Sequence, residues 1–162
     1  MEGKRVSESA SEYSELALPN DANGLGNVLG GKVMHLVDLA AAIAGMRHAQ
    51  RPVVTASVDS LHFLAPVHIG ELITLRASVN RVFRTSMEVG VKVTTEKLLT
   101  GEQTHTCSAY LTFVALDQDG RAIPIVPVIP ETEEEKRRFE HAGERRAYRL
   151  ATRDRLKQRP KY

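Results

Sequence analysis

The chain has 162 residues, 42% of them apolar and 26% charged, with a net charge of +2. That is the make-up of one ordinary globular domain with a sizeable core. No apolar run reaches ~18 residues without a charge, and Met1-Glu-Gly-Lys-Arg-Val puts no apolar stretch behind its charges, so neither a membrane span nor a signal peptide is expected. The single cysteine, Cys107, excludes an internal disulfide and suits a reducing, cytoplasmic setting, and the slight net charge gives no call for nucleic acid.

Residues 1–11 are small and polar and are expected to form a flexible, frayed N-terminus. Glu12 to Leu18 fits a short strand stopped by Pro19. Turn formers follow, rich in Asn, Asp and Gly, then the Gly30-Gly31 pair and a run from Val33 to Met46 in which nearly every residue is apolar. This predicts a helix starting near Gly31 or Lys32. It ends at Arg47-His48, where positive charge complements the carbonyl end of the dipole. A helix apolar all round is expected to be buried all round. Asp38 interrupts it, and His35 does so less seriously; a carboxylate in such a place needs a partner or a purpose.

The chain from Val53 to about residue 128 reads as strands: Val53 to Leu64, Glu71 to Phe83, a segment through Met87 to Glu96, and Thr104 to Leu116. In the third, Met87, Val89, Val91 and Val93 alternate with Glu88, Lys92, Thr94 and Glu96, a period of two that places the charged set toward solvent or another subunit. Asp117-Gln-Asp-Gly120 is a turn, and the three prolines between Ile123 and Pro130 leave at best an extended edge. Pro130-Glu-Thr-Glu-Glu-Glu opens a charged terminal helix. The expected fold is α+β: a curved antiparallel sheet wrapped around one long buried helix, spanning 12–130, with a charged C-terminal helix and tail over 131–162.

Asp38 shares its helical face with Gly31, Ala42 and Gly45, a stripe of small residues with room for a substrate or a partner backbone. A helix N-terminus supplies free N–H groups, and Gly30-Gly31 lets a ligand approach them without meeting a side chain. Such donors suit the oxyanion of acyl transfer, with Asp38 as general base or nucleophile. The bland alternative is a structural carboxylate held by backbone or by His35, one turn away.

The pattern Asn23-x-x-Gly26-x-x-x-Gly30-Gly31-x-x-Met34-x-x-x-Asp38, followed by Phe63-Leu-x-Pro66-Val-x-x-Gly70-Glu, resembles the cytosolic hotdog-fold acyl-CoA thioesterases, the group of brain acyl-CoA hydrolase and the short bacterial acyl-CoA thioester hydrolases. The resemblance continues through Thr85-Ser86-Met-Glu88-Val-x-Val and Leu99-Thr-Gly101 and covers roughly residues 12–140; Leu29 departs from it, where relatives often carry histidine or an aromatic. It implies a hotdog fold and release of a fatty acid and CoA from acyl-CoA. Asp38 would be the catalytic carboxylate and Asn23 would orient water or the thioester carbonyl, the two arriving from different subunits of a dimer, with a hexamer as a trimer of dimers. It also places Arg84, Thr85 and Ser86 near the nucleotide of CoA, a cation and two hydroxyls suited to phosphate. No metal or other cofactor is implied, and the six histidines show no ligand spacing. Cys107 reads as a packed small hydrophobe. The basic tail from Lys136 reads as a solvated or oligomer-packing helix with i,i+4 charge pairs. Two other readings remain: another hotdog activity (a dehydratase or aryl-type thioesterase), disfavoured without a helical His-Asp pair, and a non-catalytic acyl-CoA-binding regulator.

Overall fold

The computed structural model describes residues 2–160. Its elements in order are β1 (Lys4–Arg5), β2 (Ser11–Leu16), α1 (Gly30–Ala49), β3 (Val53–Val58), β4 (His62–Phe63), β5 (Leu72–Val82), β6 (Ser86–Lys97), β7 (Glu102–Ala115), β8 (Val128–Ile129) and α2 (Glu133–Lys157). The main sheet runs β2-β5-β6-β7-β3, all neighbours antiparallel, with β4 on the same edge of β7 as β3. The expected α+β wrap is present: Ile73, Leu75, Ala77 and Val79 of β5, Met87, Val89, Val91 and Val93 of β6, and Ala109, Leu111 and Phe113 of β7 enclose the helix residues Val33, Leu36, Val37, Ala40, Ala41 and Ala44. Ser11 ties β2 to the helix by donating from Oγ to the Ala40 carbonyl at 3.0 Å.

Several expectations change. The first residues do not fray: β1 pairs with β8, Val6 and Ser9 are buried, and Lys4 Nζ donates to the carbonyls of Arg47 and His48 at the end of α1. The segment Val53 to Leu64 is two strands: Asp59 N–H still donates to the Tyr110 carbonyl at 2.9 Å, and Ser60 and Leu61 then leave the ladder before β4. Helix α1 is buried on one side only, since Met34, Leu39 and Met46 are 44–47% exposed and His35 is exposed beside them. Gly45 faces the sheet, where a β-carbon would stand 3.0 Å from the Met87 methyl, and not the Asp38 face.

The outer face of the sheet is not simply solvated. Glu88, expected to meet water, is wholly buried beneath α2. Arg145 of α2 clasps it with two hydrogen bonds (Nε to Oε2 at 3.0 Å, Nη2 to Oε1 at 2.7 Å), Asn80 adds a third at 3.0 Å, and the same guanidinium lies 3.6 Å over the Tyr110 ring. Burial works against the Arg145 charge, but the hydrogen bonds and charge of Glu88 outweigh it and hold its pKa above the ordinary arginine value. One turn on, Arg149 contacts both Asp59 oxygens at 3.2 Å, and Arg81 lies 4.1 Å over the Phe139 ring. The charged helix is therefore docked by its own charges.

Candidate active site

The approach to α1 is a tied loop. Asn23 accepts from the N–H groups of Leu25 and Asn27 at its Oδ1 (2.8 and 3.2 Å), Gly26 takes the positive φ (78°) that the turn demands, and Leu29 N–H donates to the Asp21 carbonyl at 2.8 Å. Val28 N–H donates to Val67 O at 2.8 Å, which fixes the loop to the segment after β4. The turn role of Asn23 is thus real and occupies its carbonyl oxygen. Its amide nitrogen has no partner among the described residues and stands at a cleft of about 340 Å³ walled by Val28, Gly30, Val33, Phe63, Leu64 and Val67. Leu29 caps α1 without a side-chain hydrogen bond, and the N–H groups of Gly30 and Gly31 have no partner among the described residues. One end of the molecule therefore offers free backbone and amide donors over an apolar floor.

Asp38 lies about 12 Å further along the helix at 1.5 Å per residue. It is half-buried, on the side of α1 that the sheet leaves uncovered. Thr55 of β3 donates from Oγ1 to Asp38 Oδ1 at 2.7 Å, a short charge-assisted bond. Thr55 is the residue that sequence reasoning missed: a threonine in a strand reads as a β-former, and nothing local marks it as a carboxylate partner. His35 makes no hydrogen bond to Asp38, so the structural alternative built on that pair is not seen. Strand β3 is the open edge of the sheet, bulged between Thr55 and Ser57, with Val54 and Val58 each 47% exposed.

Within one chain the expected residues fall into three places. Asn23, Gly30 and Gly31 share the head of α1, and Asp38 with Thr55 stands on its flank. Arg84, Thr85 and Ser86 form the β5–β6 hairpin, whose backbone is tied to Ala115 and Ile125 beside the C-terminal end of α1. Gly30–Ala49 is 20 residues, so this hairpin lies about 30 Å from the helix N-terminus along the axis.

The remaining chemistry-bearing groups are quiet. Cys107 is buried and its thiol is pushed up to about 11 by that burial, which leaves no thiolate near neutral pH. Among the described residues no group of three or more His, Cys, Asp or Glu side chains gathers to hold a metal, and no helix is long and apolar enough to cross a membrane.

Residues 25–102 match the family model described as the thioesterase superfamily. The chain is 43% identical over 128 residues to an uncharacterized acyl-CoA thioester hydrolase, YkhA, of Bacillus subtilis, covering 79% of this chain and 74% of that protein. It is 38% identical over 141 residues to the human cytosolic acyl coenzyme A thioester hydrolase, covering 86% of this chain and 37% of that protein. An apo hexameric acyl-CoA thioesterase superposes with a TM-score of 0.92 at 42% identity, covering 98% of this chain and 100% of the other. The acyl-CoA hydrolase of Staphylococcus aureus in complex with butyryl coenzyme A, coenzyme A and coenzyme A disulfide superposes at 0.89 with 36% identity, covering 96% and 94%. That enzyme also has structures with an aspartate, an asparagine or a threonine replaced by alanine.

Proposed function

The chain belongs to the thioesterase superfamily, and on that premise we propose that it hydrolyses acyl-CoA thioesters to a carboxylic acid and free CoA in a site shared by two copies of the chain. One observation carries the assignment of residues. The asparagine, aspartate and threonine replaced in the S. aureus hydrolase are separated along its chain by the same intervals as Asn23, Asp38 and Thr55 here.

The chemistry follows from what each group has free. Thr55 engages one oxygen of Asp38 and aims the other at a water, which gives up its proton as its oxygen adds to the thioester carbonyl. The resulting oxyanion is held by the N–H groups of Gly30 and Gly31 at the positive end of α1 and by the Asn23 amide. Collapse breaks the C–S bond, and the departing sulfur takes the proton from Asp38.

Because Asn23 lies in the loop before α1 and Asp38 about 12 Å along the helix from Gly30, each needs its counterpart from a second chain. The exposed apolar flank of α1 and the valine-bearing edge β3, with Val54 and Val58 each 47% exposed, are surfaces that a second copy covers. An isologous pairing along β3 sets the helices antiparallel and carries the partner's β5–β6 hairpin toward this Gly30. Arg84, Thr85 and Ser86 then serve the CoA phosphates of the neighbouring site. The hexamer of the apo relative is the assembly we propose here, with this dimer as its unit. The human relative's cytosolic setting fits a chain with one buried free thiol. No cofactor beyond the CoA carried by the substrate enters these steps.

Release of free thiol from acyl-CoAs by wild type and Asp38→Asn tests the reading. Turnover that falls by about a thousandfold or more in the variant, with CoA still bound, supports it. A folded, oligomeric wild type inert toward every acyl-CoA overturns it. Retained ligand binding in that case identifies a binding protein instead.

A further inference from the structure

The hydrolytic steps leave one buried charge without a part. Glu71 closes the stretch Phe63-Leu-x-Pro66-Val-x-x-Gly70-Glu71 and is only 7% exposed. Packing alone gives no reason for a charge there, since a buried carboxylate loses hydration that an apolar side chain never had. Its partners lie three residues back on its own turn. Glu71 Oε1 accepts from the His68 N–H at 2.6 Å and stands 2.8 Å from His68 Nδ1. The Glu71 N–H returns to the His68 carbonyl at 3.2 Å, and Gly70 takes the positive φ (90°) that closes the turn.

The bond to His68 matters because of the peptide it grips. The N–H of His68 and the carbonyl of Val67 belong to one planar unit. Glu71 holds one end of that unit, and the other end accepts from Val28 N–H at 2.8 Å. Through this bond the turn carries the loop before α1: Asn27 stands opposite His68 as an antiparallel pair, and the Asn27 carbonyl accepts from Asn23 N–H at 2.6 Å. The turn itself is anchored, since Gly70 N–H and the Glu71 carbonyl both pair with Ala17, at 2.8 and 2.9 Å, just past β2. A charge-assisted bond is stronger than a neutral one, and a bonded carboxylate on the N–H strengthens the carbonyl of the same peptide as an acceptor.

We infer that Glu71 is a positioning residue for the hydrolysis: by fixing the Val67–His68 peptide, it sets where the Asn23 amide stands beside the helix-start donors of Gly30 and Gly31. The inference rests on the shared-site reading above and deepens it. Glu71 touches neither substrate nor water and acts only through the Asn23 loop of its own chain. Glu71→Ala should therefore lower kcat by about 10–100-fold, the scale of a misplacement near 1 Å. KM for acyl-CoA should change little, because the CoA phosphates are held at the hairpin of the other chain. Glu71→Gln keeps an acceptor at Oε1 and should recover most of the lost rate.

Subunit mixing separates positioning from a general loss of structure. In a mixed dimer of Asn23→Ala and Asp38→Ala chains, the complete site takes Asn23 from the Asp38→Ala chain and Asp38 from the Asn23→Ala chain. Glu71→Ala added to the Asp38→Ala chain should lower the recovered thiol release by the same factor as in the homodimer. Added to the Asn23→Ala chain it falls in the site that is already dead, and the recovery should stand. Equal loss from either placement, a Glu71→Ala homodimer with wild-type kcat, or a Glu71→Gln as slow as Glu71→Ala overturns the inference and leaves the shared site intact. A parent mixture that exchanges subunits yet stays inactive fails the shared-site reading, and this inference with it.

Discussion

Replacing Arg145 with alanine should cost more stability than any exposed ion pair in this protein. Glu88 is 0% exposed and takes two of its three hydrogen bonds from Arg145. The variant leaves a carboxylate under α2 with only Asn80 as a donor. Breaking one side of a buried pair costs about 3–5 kcal/mol. The guanidinium over Tyr110 at 3.6 Å adds about 0.5–2 kcal/mol. Water reaching Glu88 through the partly open site, where the Arg145 side chain is 25% exposed, offsets some of this, so we expect about 3–4 kcal/mol in all. The double variant Arg145→Met with Glu88→Met should lose no more than about 2 kcal/mol, because the unpaired charge is gone. Urea unfolding at fixed protomer concentration for wild type, both single variants and the double gives the coupling directly. A loss below about 1 kcal/mol for Arg145→Ala would show that Glu88 is not held as described.

Thr55→Val removes the hydrogen bond to Asp38 and keeps the shape of the strand. A bond to a charged group is worth about 1.5–3 kcal/mol, so kcat should fall by about 10–100-fold with little change in the melting temperature; unchanged kcat would take Thr55 out of the site. His48 is fully buried, its Nε2 is 2.9 Å from the Val126 carbonyl, and its Nδ1 has no partner. Burial first, and then the Lys4 ammonium, lowers its pKa, against the opposing pull of the Val126 carbonyl and Glu8. The neutral ring is thus the folded form. Its contribution to stability is complete above about pH 6.5, the unfolded value, and is lost as pH falls toward the lower folded value. Melting temperature followed from pH 8 to pH 5 should drop more steeply for wild type than for His48→Gln, and parallel curves would remove His48 from the acid response.

The parts of the fold legible in the sequence are those where one chain's own core dictates the pattern. The alternation of Met87, Val89, Val91 and Val93 gave β6 its inner face because these four side chains meet α1 and nothing polar intrudes. The outer face of the same strand misled. Glu88 is buried by a helix so charged that it reads as solvated, and the burial is paid in arginine contacts that no hydrophobic periodicity records. Val6 and Ser9 are single buried residues in a polar stretch, so the ordered N-terminus left no pattern to read. The continuous apolar character of α1 marked a long helix but overstated its burial, since Met34, Leu39 and Met46 remain exposed on the flank that the sheet does not cover. The free donors of Gly30 and Gly31 were within reach because helix-start chemistry is local, whereas local pattern gave Asn23 only its turn and the resemblance alone raised it as a site candidate. Thr55 was not, since its meaning comes from a contact 17 residues away on another element.

The most direct test of the shared site is subunit mixing. Asn23→Ala and Asp38→Ala proteins, each inactive alone, are combined under conditions that exchange subunits, and thiol release is measured. A mixed dimer carries one site with both residues intact and one with both replaced, so random exchange should restore about a quarter of wild-type activity in an isologous pair. Mixtures that exchange subunits, shown by labelled chains, yet stay as inactive as either variant would contradict the account and return both residues to a site within one chain.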